Sequence, residues 1–309
     1  MNTKQTDHKR FVMITPAFNE QEYLGQTIEC VLQLTCLPDI WIIVDDDSRD
    51  KTASIIQEYA FNRSWIRYYR RRKIPGQSYY GSNVYAIMEG YEQIRDESFE
   101  YLAILDADIT LPSNYYERLF AEFERDGKLG VVSGIYQEMI RGRLVNVLND
   151  RRSTPKALQV FRRACFDEIG GYLPLKNGGE DTCSCIMARM KGWKSWSFPD
   201  LKAIHRKPSG MGHTRSVIQA RFRMGLNEYG LGTHPLFLLL KSIRRCFLER
   251  PFLLSGLARI AGYAKGWIRR EERQIPPEVT AFVRAEQVKR IFRWNKFPKE
   301  NTIESRNYG

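Results

Sequence analysis

Short runs of strand-forming residues alternate with stretches of helical periodicity along the first part of the chain. Strands are predicted at residues 11–15, 40–44, 65–69, 101–105 and 129–133. Between the first two runs, Leu24, Ile28 and Val31 recur at the spacing of an amphipathic helix. Strands and helices in alternation are joined by right-handed crossovers. The pattern therefore predicts an α/β domain with a mainly parallel sheet flanked by helices.

Polar residues follow three of these predicted strands where each strand ends. Asn19 and Glu20 follow the first strand, three aspartates at 45–47 end the second, and Asp106 and Asp108 end the strand at 101–105. Ligands of parallel sheets bind outside the carboxyl ends of the strands. The sequence therefore predicts an acidic binding site at one edge of the sheet.

Asp106 and Asp108 are separated by a single alanine. If the chain remains extended there, both carboxylates point to the same side, and protonation, solvent or a bound cation must relieve their repulsion. Solvent is sufficient if Asp108 caps the next helix. The chain has no GxGxxG after the first strand and no GxxxxGK[ST] motif. Phosphate at this edge would thus need a divalent cation, which favours a metal site.

The net charge of +12 is concentrated in the last third of the chain. Residues 201–309 hold 22 Lys and Arg against 8 Asp and Glu, whereas residues 1–200 hold 26 against 28. A near-neutral domain followed by a cationic segment favours an anionic partner for that segment, either a membrane or nucleic acid.

Two amphipathic helices are predicted within this cationic segment. The first apolar stripe holds Leu236, Leu239, Leu240, Ile243 and Phe247, with Lys241, Arg244 and Arg245 turned away. The second holds Leu253, Leu257, Ile260, Ala264 and Trp267, flanked by Arg259, Lys265, Arg269 and Arg270. Basic amphipathic helices lie in membrane interfaces. The alternatives are that both stripes pack on the preceding domain, or that aromatic residues between the basic ones stack on nucleic-acid bases, namely Trp267, Phe282, Phe292 and Trp294.

The six cysteines show no CxxC pair and no repeated spacing, so they are predicted to be reduced thiols of a cytosolic protein. The first ten residues lack an apolar signal core, and no apolar stretch reaches the length of a spanning helix. We therefore expect a cytoplasmic protein, peripheral on the inner face of the cell membrane.

Four motifs stand in order along the chain: "TPAFNE" at 15–20, "VDDDSRD" at 44–50, "LDAD" at 105–108 and "GGEDTCSCIMARMKGWK" at 178–194. Together they resemble the family 2 inverting glycosyltransferases, which are nucleotide-sugar enzymes of the GT-A fold. The resemblance covers roughly residues 11–210. It implies a tail at 1–10, a GT-A catalytic domain at 11–210 and a basic helical region at 211–309.

The resemblance implies contacts to the nucleotide-sugar donor, most simply a UDP-sugar. The residues concerned are Pro16, Ala17, Glu20, Asp46, Gly81 and Asp106, and Arg72 or Lys73 could assist. It also implies that Asp108 holds Mg²⁺ or Mn²⁺ on the diphosphate and that a histidine completes the metal site. His205 is the candidate and His213 its competitor, although a lone histidine is more often structural.

The catalytic candidates implied by the resemblance are Asp181, as general base, and its neighbour Glu180. Inverting transfer is an in-line displacement in which a base takes a proton from the acceptor hydroxyl. Asp181 lies at the start of a predicted helix, whose dipole and free amides should hold its pKa low. Glycines in the preceding residues 177–179 give the loop its backbone freedom. The simple alternative for the two acids is a charged first helical turn.

Two departures from the family pattern bear on function. Asp47 stands where the family usually has glycine, so the turn after the second strand is expected to differ. "QARFRMG" at 219–225 lacks the QxxRW motif of processive members, which favours transfer of a single sugar, with a lipid-linked saccharide as acceptor at an anionic membrane. The alternatives are a sugar nucleotidyltransferase, whose glycine-rich first loop is missing, a nucleic-acid-binding protein and a non-catalytic sugar-nucleotide binder.

Overall fold

The computed structural model describes residues 10–140, 143–147, 149–207, 216–292 and 302–303. Its strands are β1 (Phe11–Ala17), β2 (Ile40–Asp46), β3 (Ile66–Arg71), β4 (Tyr101–Ile104), β5 (Ile109–Thr110), β6 (Leu129–Ile140), β7 (Arg143–Asn146), β8 (Asn149–Asp150), β9 (Val160–Arg162), β10 (Lys194–His205) and β11 (Thr302–Ile303). Its α-helices are α1 (Leu24–Leu32), α2 (Thr52–Phe61), α3 (Tyr79–Glu92), α4 (Tyr115–Arg125), α5 (Arg163–Ile169), α6 (Glu180–Met190), α7 (Val217–Gly230), α8 (Pro235–Leu248), α9 (Leu254–Ile268) and α10 (Pro277–Phe292).

The central sheet has the strand order β3-β2-β1-β4-β9-β6-β10-β5, and β7 pairs with β6. Strand β1 lies parallel to both β2 and β4, β2 to β3, and β6 to β10. The predicted α/β class with a mostly parallel sheet is confirmed. The antiparallel strands β5, β7 and β9 were not predicted, because at two to four residues they are too short for a periodic signal.

Two hydrophobic layers cover the two faces of the sheet. Along β1, Phe11 and Met13 belong to one layer, whereas Val12 and Ile14 belong to the other. This alternation follows from the two-residue period of a strand, and burial on both faces explains why β1 is apolar throughout. Helices α1 and α4 complete the first layer, and α3, α5, α6 and α10 complete the second.

Helices α7, α8 and α9 approach one another through glycines. A Cβ on Gly225 of α7 would lie 2.0 Å from the carbonyl oxygen of Arg259 on α9, and one on Gly262 would lie 2.0 Å from that of Phe222. Gly256 has a similar relation to α8, with the carbonyl oxygen of Ser242 at 2.4 Å. The absence of a side chain therefore sets how closely these helices pack.

The predicted apolar stripe of α8 faces outward instead of packing on the domain. Leu236, Leu239, Ile243 and Phe247 are 45%, 42%, 47% and 70% exposed, and Leu240 is half-buried. The helix is buried instead through Leu238, Ser242 and Cys246. The alternative that this stripe packs on the preceding domain is therefore wrong for its four exposed members.

Helix α9 repeats this arrangement. Leu253, Leu257 and Trp267 are more than half exposed, whereas Ile260 and Ala264 are half-buried. The expected position of Arg259 on the outer flank is wrong, because its side chain is buried and forms an ion pair with Glu249 at 3.1 Å. None of the described helices combines the length and apolarity needed to cross a bilayer.

Candidate active site

The carboxyl ends of β2, β1 and β4 meet at one edge of the sheet because the three strands are parallel neighbours. The loops after β1 and β2 are hydrogen-bonded to each other. The amide of Asn19 donates to Ser48 Oγ at 3.0 Å, and the amide of Glu20 donates to Thr52 Oγ1 at 2.8 Å. The edge predicted from the strand-end acids therefore forms as one continuous surface.

Asp47 makes the turn after β2. Its φ of 64° lies in the left-handed region, which glycine adopts freely and which aspartate tolerates better than most residues. The preceding Asp45 accepts a hydrogen bond from the amide of Ser48 at 2.9 Å. Aspartate in place of the expected glycine thus adopts a backbone conformation that glycine favours.

Asp46 is held by three side chains. Arg71 Nη1 lies 2.5 Å from Oδ1, and Ser82 Oγ donates to Oδ2 at 2.7 Å. Lys73 Nζ lies 3.3 Å from Oδ2. Arg71 is only 1% exposed and also contacts Glu89 at 2.8 Å. The donor-binding candidate Asp46 is therefore part of a buried ion network.

Arg71 was missed by sequence analysis, which considered its neighbours Arg72 and Lys73. The third strand was predicted to end at residue 69, whereas β3 continues to Arg71 and pairs it with Asp46. Arg72 is exposed beyond the end of the strand. If the third strand had been predicted to end two residues later, Arg71 would have been expected beside the aspartates that end the second strand.

Asp106 and Asp108 do not continue an extended strand, contrary to the sequence-based expectation. Strand β4 ends at Ile104, and residues 107 and 108 form a turn. Asp106 Oδ1 lies 2.6 Å from Lys156 Nζ, whereas Asp108 Oδ2 lies 3.2 Å from His205 Nε2. The two carboxylates are thus held by different cations.

His205 reaches Asp108 because β10 pairs antiparallel with β5, which places His205 opposite Ile109. Burial lowers the pKa of His205, but the interactions with Asp108 and Glu138 outweigh burial and raise that pKa to about 9. Burial likewise raises the pKa of Asp108, and the interaction with His205 reverses this and lowers it overall. The competing candidate His213 lies outside the described residues.

Asp108 and His205 are the residues that could hold a metal ion. A carboxylate and an imidazole are common metal ligands, and a second carboxylate behind the imidazole is the usual way to orient it. Here Glu138 Oε1 lies 3.8 Å from His205 Nδ1. Among the described residues there is no group of three or more such ligands. Mg²⁺ is usually held by one or two carboxylates and completes its shell with substrate phosphates and water, so substrate would have to complete a site of this kind.

Glu20, the donor candidate after β1, forms an ion pair with Lys207. Burial raises the pKa of Glu20 to about 7, and repulsion from Asp108 and Asp106 adds to this while Lys207 opposes it. The mutual influence of these acids shows that they share one region. Pro16 and Ala17 lie buried at the end of β1, and the Ala17 side chain belongs to the core.

The donor candidate Gly81 lies in the first turn of α3. Its amide donates to Ser78 Oγ at 3.1 Å, which caps the helix. The adjacent Tyr79 was not predicted. Burial raises the pKa of Tyr79 to about 12, with a lowering effect of Lys156 and raising effects of Asp106 and Glu20. Tyr79 therefore lies among the strand-end acids.

Lys156 joins the acids after β4 to the acids of α6. Burial lowers its pKa, but the charges of Asp106 and Glu180 outweigh burial and raise it. Its backbone amide also hydrogen-bonds to the carboxyl group of Asp181. No periodicity or motif singles out this lysine in the sequence, and only the fold brings it here.

Two glycines in left-handed conformations position Glu180 and Asp181. Gly178 and Gly179 have φ values of 85° and 95°. A Cβ on Gly179 would lie 2.4 Å from the side chain of Asn227 on α7. The loop therefore needs the predicted conformational freedom of glycine at both positions, and α7 packs against it through Asn227.

Glu180 and Asp181 differ in exposure. Glu180 is 6% exposed, and its Oε2 has no hydrogen-bond partner among the described residues. Burial and the charge of Asp181 raise the pKa of Glu180 to about 7. Asp181 is half-buried and accepts a hydrogen bond from the amide of Thr182 at 2.6 Å. The expected low pKa of Asp181 is wrong, because burial outweighs the amides and raises it.

Helix α7 contributes to the site although it lies beyond the predicted boundary at residue 210. Arg223 Nη1 donates to the carbonyl oxygen of Asn177 at 2.9 Å, and the guanidinium lies 4.3 Å from the ring centroid of Tyr80. The segment "QARFRMG" thus packs against the loop that carries the α6 acids.

Known proteins are similar to this chain in sequence and in fold. The family model described as glycosyl transferase family 2 matches residues 12–191. A poly-beta-1,6-N-acetyl-D-glucosamine synthase of Staphylococcus epidermidis is 31% identical over 117 residues, which is 38% of this chain and 26% of that protein. The chain thus spans about a quarter of the length of the curated relatives that it matches.

Solved structures share the fold. A mannosyltransferase from Pyrobaculum calidifontis in complex with GDP-Man and Mn²⁺ covers 94% of this chain and 83% of that chain, with a TM-score of 0.55 and 16% identity. TarS 1-349 of S. aureus in complex with UDP-GlcNAc covers 70% of this chain and 65% of that chain, with a TM-score of 0.53 and 16% identity. The GT-A architecture expected from the motifs is confirmed.

The buried network around Asp46 predicts different effects of substituting two adjacent arginines. Arg71→Met should destabilise the protein by about 3–5 kcal/mol, because it removes the buried guanidinium from Asp46 and leaves that carboxylate with only Ser82 and Lys73. Arg72→Met is the matched control and should change stability by less than about 0.5 kcal/mol. Urea denaturation measures both values. Equal stability of the two variants would contradict the assignment of Arg71 to this network.

Proposed function

The chain belongs to glycosyl transferase family 2, and from this premise we propose that it moves one sugar from a nucleotide-sugar donor to a hydroxyl acceptor with inversion. The observation that carries the proposal is the convergence of Glu20, Asp106 and Asp108 on the acids of α6 through Lys156. An acidic edge of this kind suits a metal-bound diphosphate on one side and a base on the other.

Donor binding is assigned to the strand-end residues. Asp46, with Lys73 at 3.3 Å, is proposed to meet the base and ribose. Gly81, at the start of α3, is proposed to border the pyrophosphate, and Glu20 and Asp106 the ribose and sugar. Pro16 and Ala17 would contribute through their backbone, since Ala17 is 1% exposed. A UDP-sugar is the proposed donor.

Asp108 and His205 would hold the divalent cation, Mg²⁺ or Mn²⁺. When bound, this ion would stabilise the negative charge that develops on the departing nucleoside diphosphate. The protein residues around it supply further positive charge. Lys156 lies beside Asp106 and Lys207 beside Glu20, and both ammonium groups are proposed to offset the charge that develops during transfer.

Asp181 is the proposed general base, with Glu180 as its supporting neighbour. A base must reach the acceptor hydroxyl, and Asp181 is half-buried whereas Glu180 is 6% exposed. The raised pKa of Asp181 makes it a stronger base than an ordinary carboxylate. Deprotonated Asp181 would take the hydroxyl proton while the nucleoside diphosphate leaves from the opposite face of the sugar.

The exposed surface of α8 and α9 supports an acceptor at a membrane. We define the apolar ridge as the residues Leu236, Leu239, Ile243, Phe247, Phe252, Leu253, Leu254 and Leu257, which are 42–70% exposed. Exposed Arg244 and Arg250 lie on the same helix and turn. Apolar side chains beside arginines match the interface of an anionic membrane. A lipid-linked saccharide at the inner face of the membrane is therefore the proposed acceptor.

The metal assignment predicts the loss of metal-dependent donor binding. Asp108→Ala should weaken Mn²⁺-dependent binding of UDP by at least about 100-fold, because even outer-sphere partners of metals contribute 10–100-fold. Calorimetry of UDP binding with and without Mn²⁺ measures this change. Asp96→Ala, at an exposed position in a helix-end turn, is the control and should bind normally. Undiminished binding by Asp108→Ala would exclude the assignment.

The base assignment predicts a loss of turnover without a loss of donor binding. Asp181→Asn preserves size and should reduce the transfer rate by about 100-fold or more, the usual contribution of a positioned base. Donor affinity, measured by calorimetry, should remain near that of the parent protein. If Asp181→Asn retains its rate while Glu180→Gln loses it, the base is Glu180.

Membrane docking is tested by flotation with vesicles. Removing residues 234–309 is unsuitable, since Val279 and Val283 of α10 belong to the core. Phe247→Asp should abolish binding to anionic vesicles, because it places a charge within the apolar ridge. Phe61→Asp is the control, since Phe61 is 85% exposed on α2. Binding should weaken with salt, as each arginine near an anionic leaflet contributes on the order of 1 kcal/mol. If neutral and anionic vesicles recovered the same amount of protein, docking to an anionic membrane would be contradicted.

A further inference from the structure

A cavity lies between α6, α8 and α10, apart from the strand-end acids. Its volume is about 310 Å³. One wall is a single face of α6 that carries Thr182, Cys185 and Arg189, and the facing walls come from α8 and α10. Thr182 is the neighbour of Asp181, so this cavity begins one residue from the proposed base. None of Glu20, Asp46, Asp106 or Asp108 lines it.

The cavity carries more positive than negative charge. Its basic side chains are Arg152, Arg189, Lys241, Arg244, Arg245 and Arg290, and its acidic side chains are Asp150, Glu228 and Glu286. The acids are already engaged. Asp150 pairs with Arg290 at 2.7 Å, Glu228 with Lys241, and Glu286 with both Arg152 and Arg189. The lining acids therefore do not neutralise Arg244 and Arg245.

Arg245 shares its carboxylate with two other arginines. Its guanidinium pairs with Glu249, which also lies 3.1 Å from Arg259 and 3.4 Å from Arg221. Burial and repulsion from Arg259 lower the pKa of Arg245 to about 9. Burial also lowers the pKa of Lys241. The positive charge of this wall is thus held at an energetic cost that a bound anion would relieve.

The lining of the cavity comes close to the apolar ridge at the end of α8. Leu248 lines the cavity and is 41% exposed, directly after Phe247 of the ridge. A ligand that carries both a phosphate and an apolar chain could therefore place its phosphate in the cavity and its chain along the ridge. Arginines suit such a phosphate because the planar guanidinium donates two parallel hydrogen bonds to phosphate oxygens.

We propose that this cavity is a second anion site, which binds a phosphate or diphosphate group through Lys241, Arg244 and Arg245. The site is separate from the proposed donor site and does not depend on glycosyl transfer. A phosphate there could belong to free pyrophosphate or to the head group of a lipid phosphate. Both share the chemistry that the cavity recognises.

The test measures binding of pyrophosphate and of a monomeric short-chain phosphatidic acid by calorimetry, in EDTA and without any nucleotide. The full chain should bind at least one of the two. Arg244→Gln/Arg245→Gln should weaken that binding by about tenfold or more, as expected when charge-assisted hydrogen bonds are lost. Arg269→Gln/Arg270→Gln removes the same charge from exposed positions outside the cavity and should change affinity less than about twofold.

Further variants separate this site from folding and from the donor site. The cavity variant should unfold at the same temperature as the parent protein or higher, because Glu249 retains Arg221 and Arg259. If it does not fold, the exposed single change Arg244→Gln gives the same comparison. Asp108→Ala should bind both anions normally.

Tighter binding of the lipid phosphate than of pyrophosphate supports a lipid head group, and equal binding supports a free phosphate. The proposal would be overturned if the full chain bound neither anion, or if Arg244→Gln/Arg245→Gln bound the anion as tightly as the parent protein.

Discussion

Repulsion among carboxylates at the ends of three neighbouring strands is the constraint on which the site depends. Parallel pairing of β1 with β2 and β4 places these acids at one edge, and four of them are each matched with a cation from another part of the chain. The pairs are Glu20 with Lys207, Asp46 with Arg71, Asp106 with Lys156 and Asp108 with His205. Partial burial makes each match necessary, since an unpaired charge is costly away from water. The acidic edge can form only when these distant segments have folded.

Helix α6 connects the two proposed binding regions of the molecule. Its first turn carries Glu180 and Asp181 toward Lys156, whereas the face with Thr182 and Arg189 lines the cationic cavity. The entry of the chain into this helix is fixed by Gly179, where a side chain would meet Asn227 of α7. Because α7 holds this loop, the C-terminal helices belong to the same structural unit as the acids they contact.

Helix α8 has the reverse orientation of an ordinary amphipathic surface helix, which packs its apolar face inward and exposes its charged face. Its apolar residues face outward, and its basic residues Lys241 and Arg245 are half-buried against Glu228 and Glu249. This orientation follows from the small residues on the buried face, since Gly256 allows α9 to approach the backbone of Ser242. The apolar ridge and the cationic cavity are therefore two consequences of one helix orientation.

The sequence by itself determined the α/β class, the positions of the strand-end acids, and a helix after the glycines at 178 and 179, predicted one residue later than its start at Glu180. These features follow from local periodicity and from motifs, which a single segment carries. Only the tertiary structure decided that Lys156 and Arg71 balance the acids, that Tyr79 lies among them, and that burial raises the pKa of Asp181. The tertiary structure likewise decided that the apolar stripe of α8 faces outward. Each of these depends on which distant segments meet and on how deeply they are buried, and neither property is encoded in the spacing of neighbouring residues.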